Sequence, residues 1–199
     1  MLKLHLTRAD DYEGVYLQLP ATSAEFEEVC SWLDEISTDI TSTRIKGAIS
    51  DVWNIGTYLK NTDINTPGQL DKLNRITEII GMMDRDECHT FEGALDAESI
   101  NGLEDIIAIG EQLDRYLYIP HVTTHQELGL FLVNHDIKHF DDSVYPYLDY
   151  TKIGIEYYCN HGGAYTARGY IVRRDSVEHA LTAAVDNRSS QRMEGMKMA

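Results

Sequence analysis

Residues 2–6 alternate apolar and polar, and Val15-Tyr16-Leu17-Gln18-Leu19 does the same, the period-2 pattern of half-buried strands. Ala9-Asp10-Asp11-Tyr12-Glu13-Gly14 between them reads as a polar turn, so a hairpin is predicted, closed off by Pro20. Thr22-Ser23-Ala24-Glu25 has the form of a capping box, with Thr22 as N-cap and Glu25 reaching back to it. Phe26, Val29, Cys30, Leu33 and Ile36 follow at helical spacing, which predicts an amphipathic helix over 23–36. Residues 45–52 suit a further strand, and residues 61–68, which include Pro67, read as a connection.

The pattern then turns helical. Leu70, Leu73, Ile76, Ile80 and Met83 form one apolar stripe, and Phe91, Ala94 and Leu95 a shorter one. Ser99 is positioned to cap a third helix with Leu103, Ile106, Ile107, Gly110, Leu113 and Leu117 facing inward, and Pro120 closes it. Thr124-His125-Gln126-Glu127 is a second capping box, followed by Leu128, Phe131 and Leu132 on one face. Residues 145–150, 156–159 and 169–173 are rich in Tyr, Val and Ile and read as loop and strand, with Gly162-Gly163 as a turn. Nothing periodic follows Asp186. These elements predict an α+β chain of small domains: an N-terminal α+β domain over 1–66, an acidic helical domain over 67–120, a C-terminal α+β domain over 121–185 and a flexible tail over 186–199.

Composition supports folding. Apolar residues make up 43% of 199, enough for a core, and the three cysteines are scattered and odd in number, which suits reduced thiols in the cytoplasm. The first residues lack the apolar run of a signal peptide, and no stretch approaches the ~18 apolar residues of a membrane span.

Charge changes the picture most. Asp and Glu number 33 against 17 Lys and Arg, and residues 61–150 alone hold 18 acids and 5 bases. Such a field repels nucleic acid and attracts proteins that bind it. On the third central helix, Glu104, Asp105, Glu111 and Asp114 avoid the apolar stripe. Ten steps of ~1.5 Å spread them over about 15 Å, one charge per 4–5 Å, against roughly 3.4 Å per phosphate along one DNA strand. Asp84, Asp86, Glu87, Glu92, Asp96 and Glu98 add charge just upstream. Carboxylates also line the solvent side of ordinary helices, but ordinary solvated faces mix both signs.

Other chemistry is thin. His121 and His125 stand four apart, as do His135 and His139, a spacing compatible with a metal; no general base lies between the first pair, and Thr124 as N-cap breaks its helical spacing. Cys159-Asn160-His161 is adjacency without triad geometry. No phosphate-binding glycine loop and no nucleophile elbow occur. Arg168, Arg173, Arg174, Arg188 and Arg192 are too sparse for a nucleic-acid patch. No catalytic residue, metal site or cofactor is expected.

Several short motifs resemble the ArdA antirestriction family of DNA mimics. Tyr147-Leu148-Asp149-Tyr150 with Gly154 is similar to the family's Tyr-Ile-Asp-Tyr-x-x-x-Gly. The run from Gly163 through Tyr165 to Gly169-Tyr170 is similar to its Gly-x-Phe-Thr-x-x-Gly-Tyr, and Glu127-Leu128-Gly129 to its Glu-Leu-Gly. Leu73-Asn74, Tyr12-Glu13-Gly14 and the strand ending in Leu17-Gln18-Leu19-Pro20 fall in matching order, so the likeness is collinear over about residues 10–172. The family's Asn-Leu-Gly-Lys-Tyr-Asn segment is replaced by Arg8-Ala9-Asp10-Asp11-Tyr12-Glu13.

The resemblance implies an elongated protein of three small domains, dimerised through its C-terminal region, that occupies the DNA groove of a Type I restriction-modification enzyme. It implies a protein of a mobile genetic element that is not an enzyme. The surface expected to imitate phosphates is Asp84, Asp86, Glu87, Asp96, Glu98, Glu104, Asp105, Glu111 and Asp114. Two alternatives stay open: an acidic protein-binding module with a non-restriction partner, and a metal-dependent enzyme using His121, His125, His135 and His139.

Overall fold

The computed structural model describes residues 1–8, 14–36 and 42–186. The Tyr12-Glu13 part of the N-terminal motif and positions 187–199 of the expected tail lie outside them. The fold is α+β, with helices and two small antiparallel three-stranded sheets. The chain divides into two compact units, Met1–Gln112 and Leu113–Ala199.

In the first unit the alternation at the N-terminus becomes β1 (Leu2–Arg8), paired antiparallel with β2 (Val15–Leu19) on one side and β3 (Thr43–Ser50) on the other. Leu2, Leu4 and Leu6 are fully buried from one face of β1, as period-2 patterning requires. Gly14 enters β2 in close contact with β1, since a Cβ there would stand 2.4 Å from the Leu6 carbonyl oxygen. The capping box forms at the start of α1 (Ser23–Ile36): Thr22 N–H donates to Glu25 Oε2 at 2.7 Å, and Glu25 N–H to Thr22 Oγ1 at 3.3 Å. Arg8, at the end of β1, is buried; its guanidinium donates to Thr43 Oγ1 at 2.7 Å and pairs with Asp34 of α1. A short α2 (Ile55–Leu59) follows β3.

The central helices belong to this same unit: α3 (Gln69–Met82), α4 (Arg85–Ala97) and α5 (Leu103–Glu111). Leu73, Ile76, Ile80, Phe91, Ala94, Leu95 and Ile106 are buried, as the stripes predict. Side chains tie these helices to the sheet. Asn74 of α3 clamps the backbone of Ala21, accepting from its N–H and donating to its carbonyl, both at 2.8 Å. Two of the resemblance motifs, the strand ending in Pro20 and Leu73-Asn74, therefore meet in space. Asn54 Nδ2 donates to the Glu92 carbonyl and to Asp96 Oδ1 of α4, each at 2.9 Å.

The third central helix is shorter than its apolar stripe. It starts after Gly102, not at Ser99, and ends at Glu111. Leu113 lies in a 3-10 turn (Leu113–Arg115) and Leu117 in β4 (Tyr116–Pro120). The helix-period reading of 113 and 117 fails because Tyr116-Leu117-Tyr118-Ile119 is strand-forming sequence that pairs antiparallel with β6 (Gly169–Arg173) in the second unit.

In the second unit, α6 (His125–Asn134) and α7 (Tyr150–His161) pack against the sheet β4-β6-β5, with β5 at Ala164–Tyr165. Residues 179–186 are helical, and Leu181 and Val185 join Leu117, Leu128, Leu132, Tyr157 and Tyr170 in one core. Residues 156–159 and 150 are helical, not strand or loop. Aromatic and β-branched content misleads there because tertiary packing overrides it: Asp149 caps α7 by accepting from Lys152 N–H at 3.1 Å, and Gly154 lets the helix lie directly on α6.

Candidate protein-binding surface

Seven of the nine candidate carboxylates are exposed: Asp84, Asp86, Glu87, Asp96, Glu104, Glu111 and Asp114; Glu98 and Asp105 are half-buried. Eight lie in the first unit and Asp114 in the second. Because α5 ends at Glu111, only Glu104, Asp105 and Glu111 share that helix, spanning seven steps or roughly 10 Å rather than 15.

Much of this acid also serves the fold. Asp84 is the N-cap of α4 and accepts from the N–H groups of Asp86 and Glu87, both at 2.8 Å; Glu87 Oε2 returns the bond to Asp84 N–H at 2.9 Å. These acids in the first turn also favour the helix dipole. Asp105 accepts from Asn101 N–H at 2.8 Å ahead of α5. Asp96 accepts from Tyr58 OH at 2.6 Å; burial first, then this bond, pushes the phenol's pKa up. Such neutral donors leave the carboxylate charge in place.

Two candidates meet bases. Glu104 pairs with Lys72, whose bond holds the carboxyl below its usual range, and Glu111 pairs with Arg75 at 2.7 Å. Arg75 also reaches Glu78 at 3.2 Å. Lys72 and Arg75 stand on α3, and Ile79 of α3 packs where a Cβ on Gly110 would lie. Contacts advance together along α3 and α5, so the two helices run in the same sense with these pairs along their seam. Glu104 and Glu111 are thus partly neutralised, which sequence spacing alone does not reveal.

Other acids run against local stability. No base stands in the last turn of α1, α3, α4 or α5. Asp96 sits in the last turn of α4 and Glu98 at its C-cap, where the dipole disfavours negative charge by about 0.3–1 kcal/mol each. Glu92, singled out as added surface charge, is instead 6% exposed, and its Oε1 accepts from Trp53 N–H at 2.9 Å.

The C-terminal motifs of the resemblance belong to the second unit, and most of their residues hold it together. Gly129 and Gly154 form the crossing of α6 and α7: a Cβ on Gly129 would lie 1.9 Å from the Tyr150 carbonyl oxygen, and one on Gly154 1.8 Å from that of His125. Glu127 closes the second capping box, accepting from Thr124 N–H at 3.0 Å while Thr124 Oγ1 accepts from Glu127 N–H at 3.2 Å. Asp149 caps α7 and Tyr150 opens it. Gly163, at φ +99°, has no room for a Cβ against the Ile171 carbonyl, and Gly169 packs on Tyr118 and Ile119. Tyr165 OH is hydrogen-bonded to His125 Nδ1 at 2.8 Å, and burial first, then the neighbouring Tyr158, pushes its pKa up to about 12. Tyr170 OH donates to the Gly162 carbonyl. Tyr147 differs from these; it is 83% exposed.

The four histidines do not converge. His125 is taken by Tyr165, and His135 Nδ1 lies 2.9 Å from the Phe131 carbonyl with its ring stacked on Phe131. His139 is exposed beside Asp136 at 3.6 Å, and His121 has φ +65° outside the helix. Among the described residues no three His, Cys, Asp or Glu side chains are grouped to hold a metal. Cys159 is exposed, while His161 stacks on Tyr157 and bonds to the Ser176 carbonyl at 2.6 Å, so the pair is not aligned for nucleophilic work. Among the described residues no helix is long and apolar enough to cross a membrane.

No protein-family model matches the chain, and no curated protein matches it.

Proposed function

We propose that the chain is an acidic mimic of duplex DNA that binds Type I restriction-modification enzymes and inhibits them, without catalysing a reaction. The observation that carries this reading is the one-signed charge of the first unit, 22 acids against 8 bases, with Asp84, Asp86, Glu87 and Asp96 exposed on it. The motifs that resemble the ArdA family supply the choice of target.

The mechanism is competitive. Carboxylates of the first unit pair with Lys and Arg of a DNA channel, and the summed field speeds encounter. Asp84, Asp86, Glu87, Asp96, Glu98 and Asp105 carry more of the effect than Glu104 and Glu111, which already meet bases. The protein acts as a homodimer, as the resemblance implies, in the cytoplasm, which its scattered and odd-numbered cysteines suit. Titrating purified protein into a Type I methyltransferase bound to a fluorescent duplex at low salt tests the reading. Displacement of the duplex is expected; a duplex that stays bound at saturating protein sinks it.

A further inference from the structure

Asp96 is tied to another helix without losing its charge. Glu104 and Glu111 are tied too, but by the cations Lys72 and Arg75. At Asp96 two neutral donors converge on one oxygen: Tyr58 OH donates to Oδ1 at 2.6 Å, and Asn54 Nδ2 donates to the same atom at 2.9 Å. Asn54 is the N-cap of α2 and Tyr58 stands four residues on, so both reach out from one face of that helix. α2 is itself well seated, with Ile55 and Leu59 buried. Burial first, and then the bond to Asp96, keep the Tyr58 phenol protonated far above its ordinary range, so it stays a donor.

Docking α2 on α4 does not need the hydroxyl. Buried groups already join the two: Trp53 N–H donates to Glu92 Oε1, and Asn54 Nδ2 to the Glu92 carbonyl, both at 2.9 Å. The Tyr58 bond lies at the exposed edge of this contact, where substitutions usually cost little stability. What the bond supplies is direction. A surface side chain that meets a partner gives up rotamer freedom on binding. With Oδ1 held twice, Asp96 has given it up beforehand, while the residue stays exposed and Oδ2 has no partner among the described residues. Duplex DNA is stiff over the length of a binding site, so its phosphates also arrive already placed.

We propose, resting on the mimic reading above, that Tyr58 and Asn54 are positioning residues for Asp96. They hold its carboxylate in one orientation, so that the free oxygen meets a Lys or Arg of the partner's DNA channel without first being ordered. A summed field gives neither neutral residue any part in binding.

Tyr58→Phe separates the two accounts, because it removes a hydroxyl and no charge. The full chain is titrated into a Type I methyltransferase bound to a fluorescent duplex at low salt. Competition weakens about three-fold, the scale of ordering one side chain on binding, while the salt slope and the melting curve stay as they were. In an Asp96→Asn background the same substitution changes competition little, since the anion it positions is gone. Competition that Tyr58→Phe leaves unchanged, or weakens equally with and without the Asp96 charge, overturns the positioning role. A melting curve that falls in step with competition makes Tyr58 a structural tie and overturns it as well. An unsubstituted chain that displaces no duplex sinks the mimicry itself, whereas displacement indifferent to Tyr58→Phe sinks the positioning alone.

Discussion

Residues 1–112 carry 22 Asp and Glu against 8 Lys and Arg, a net of −14, whereas residues 113–199 carry 11 against 9, a net of −2. Nine of the twelve tyrosines fall in the second stretch, and the fully buried Tyr157 and Tyr170 anchor its core. Both tryptophans fall in the first and face outward. The first unit therefore presents a surface of mostly one sign, part of which also caps helices and ties α4 to its neighbours. The second is near neutral, with exposed caps at Glu127 and Asp149 and hydrogen-bonded aromatics inside. On the proposed reading, imitation belongs mainly to the first unit and can be disturbed without unfolding the second.

The sharpest way to break that separation is at the crossing of α6 and α7. Gly154→Ala places a methyl 1.8 Å from the His125 carbonyl oxygen, so the helices must part. Loss of about 3 kcal/mol is expected in the second unit, seen by calorimetry as an earlier melting of that unit alone. A coincident fall in both units means they are not energetically separate.

Charge is the converse lever. The triple variant Asp86→Asn/Asp96→Asn/Glu98→Gln keeps acceptors in place and removes three charges from the first unit. Competition against duplex is expected to weaken on the order of ten-fold at low salt, with a shallower dependence on salt. Neutralising Asp136, Asp141 and Asp142 of the second unit changes it far less. Equal effects from the two triples remove the contrast.

Thr124→Ala deletes one half of the capping box at α6 and lowers the second unit's stability by about 1 kcal/mol, with competition unaffected once the protein is folded. Acid pH acts more gently. Backbone N–H groups, of Thr123 on Glu127 and of Lys152 on Asp149, hold these carboxyls below the usual carboxylate range. A depressed carboxylate contributes its stability above the ordinary value near pH 4 and loses it as pH falls through the lower folded value. Melting of the second unit therefore drops below about pH 4, and Glu127→Gln with Asp149→Asn flattens the drop. A drop that the two substitutions leave unchanged contradicts the capping account.

Elements with strong local signals were legible in the sequence. The period-2 run at residues 2–6 and the capping boxes at Thr22 and Thr124 are local, and each forms where its residues predict. Misreadings arise where distant partners decide. Leu113 and Leu117 extend a helical stripe by spacing, but β6 recruits residues 116–120 into a sheet. Tyr157-Tyr158 looks like strand, but Gly129, more than twenty residues away, admits α7 as a helix. At the acidic surface the charge itself is plain in the composition. Its partial neutralisation by Lys72 and Arg75, and the burial of Glu92, depend on how α3, α4 and α5 pack, which no spacing rule contains. The exposed tryptophans carry no sequence signal, since an indole among mixed residues reads as core.

The central claim is that the first unit's carboxylates take the place of DNA phosphates. Its most direct test is displacement of a duplex from a Type I methyltransferase complex, repeated from low to high salt. The account predicts displacement at low salt and a log–log decline of binding with salt as steep as that of the duplex itself. Failure to displace at low salt, or affinity indifferent to salt, contradicts it.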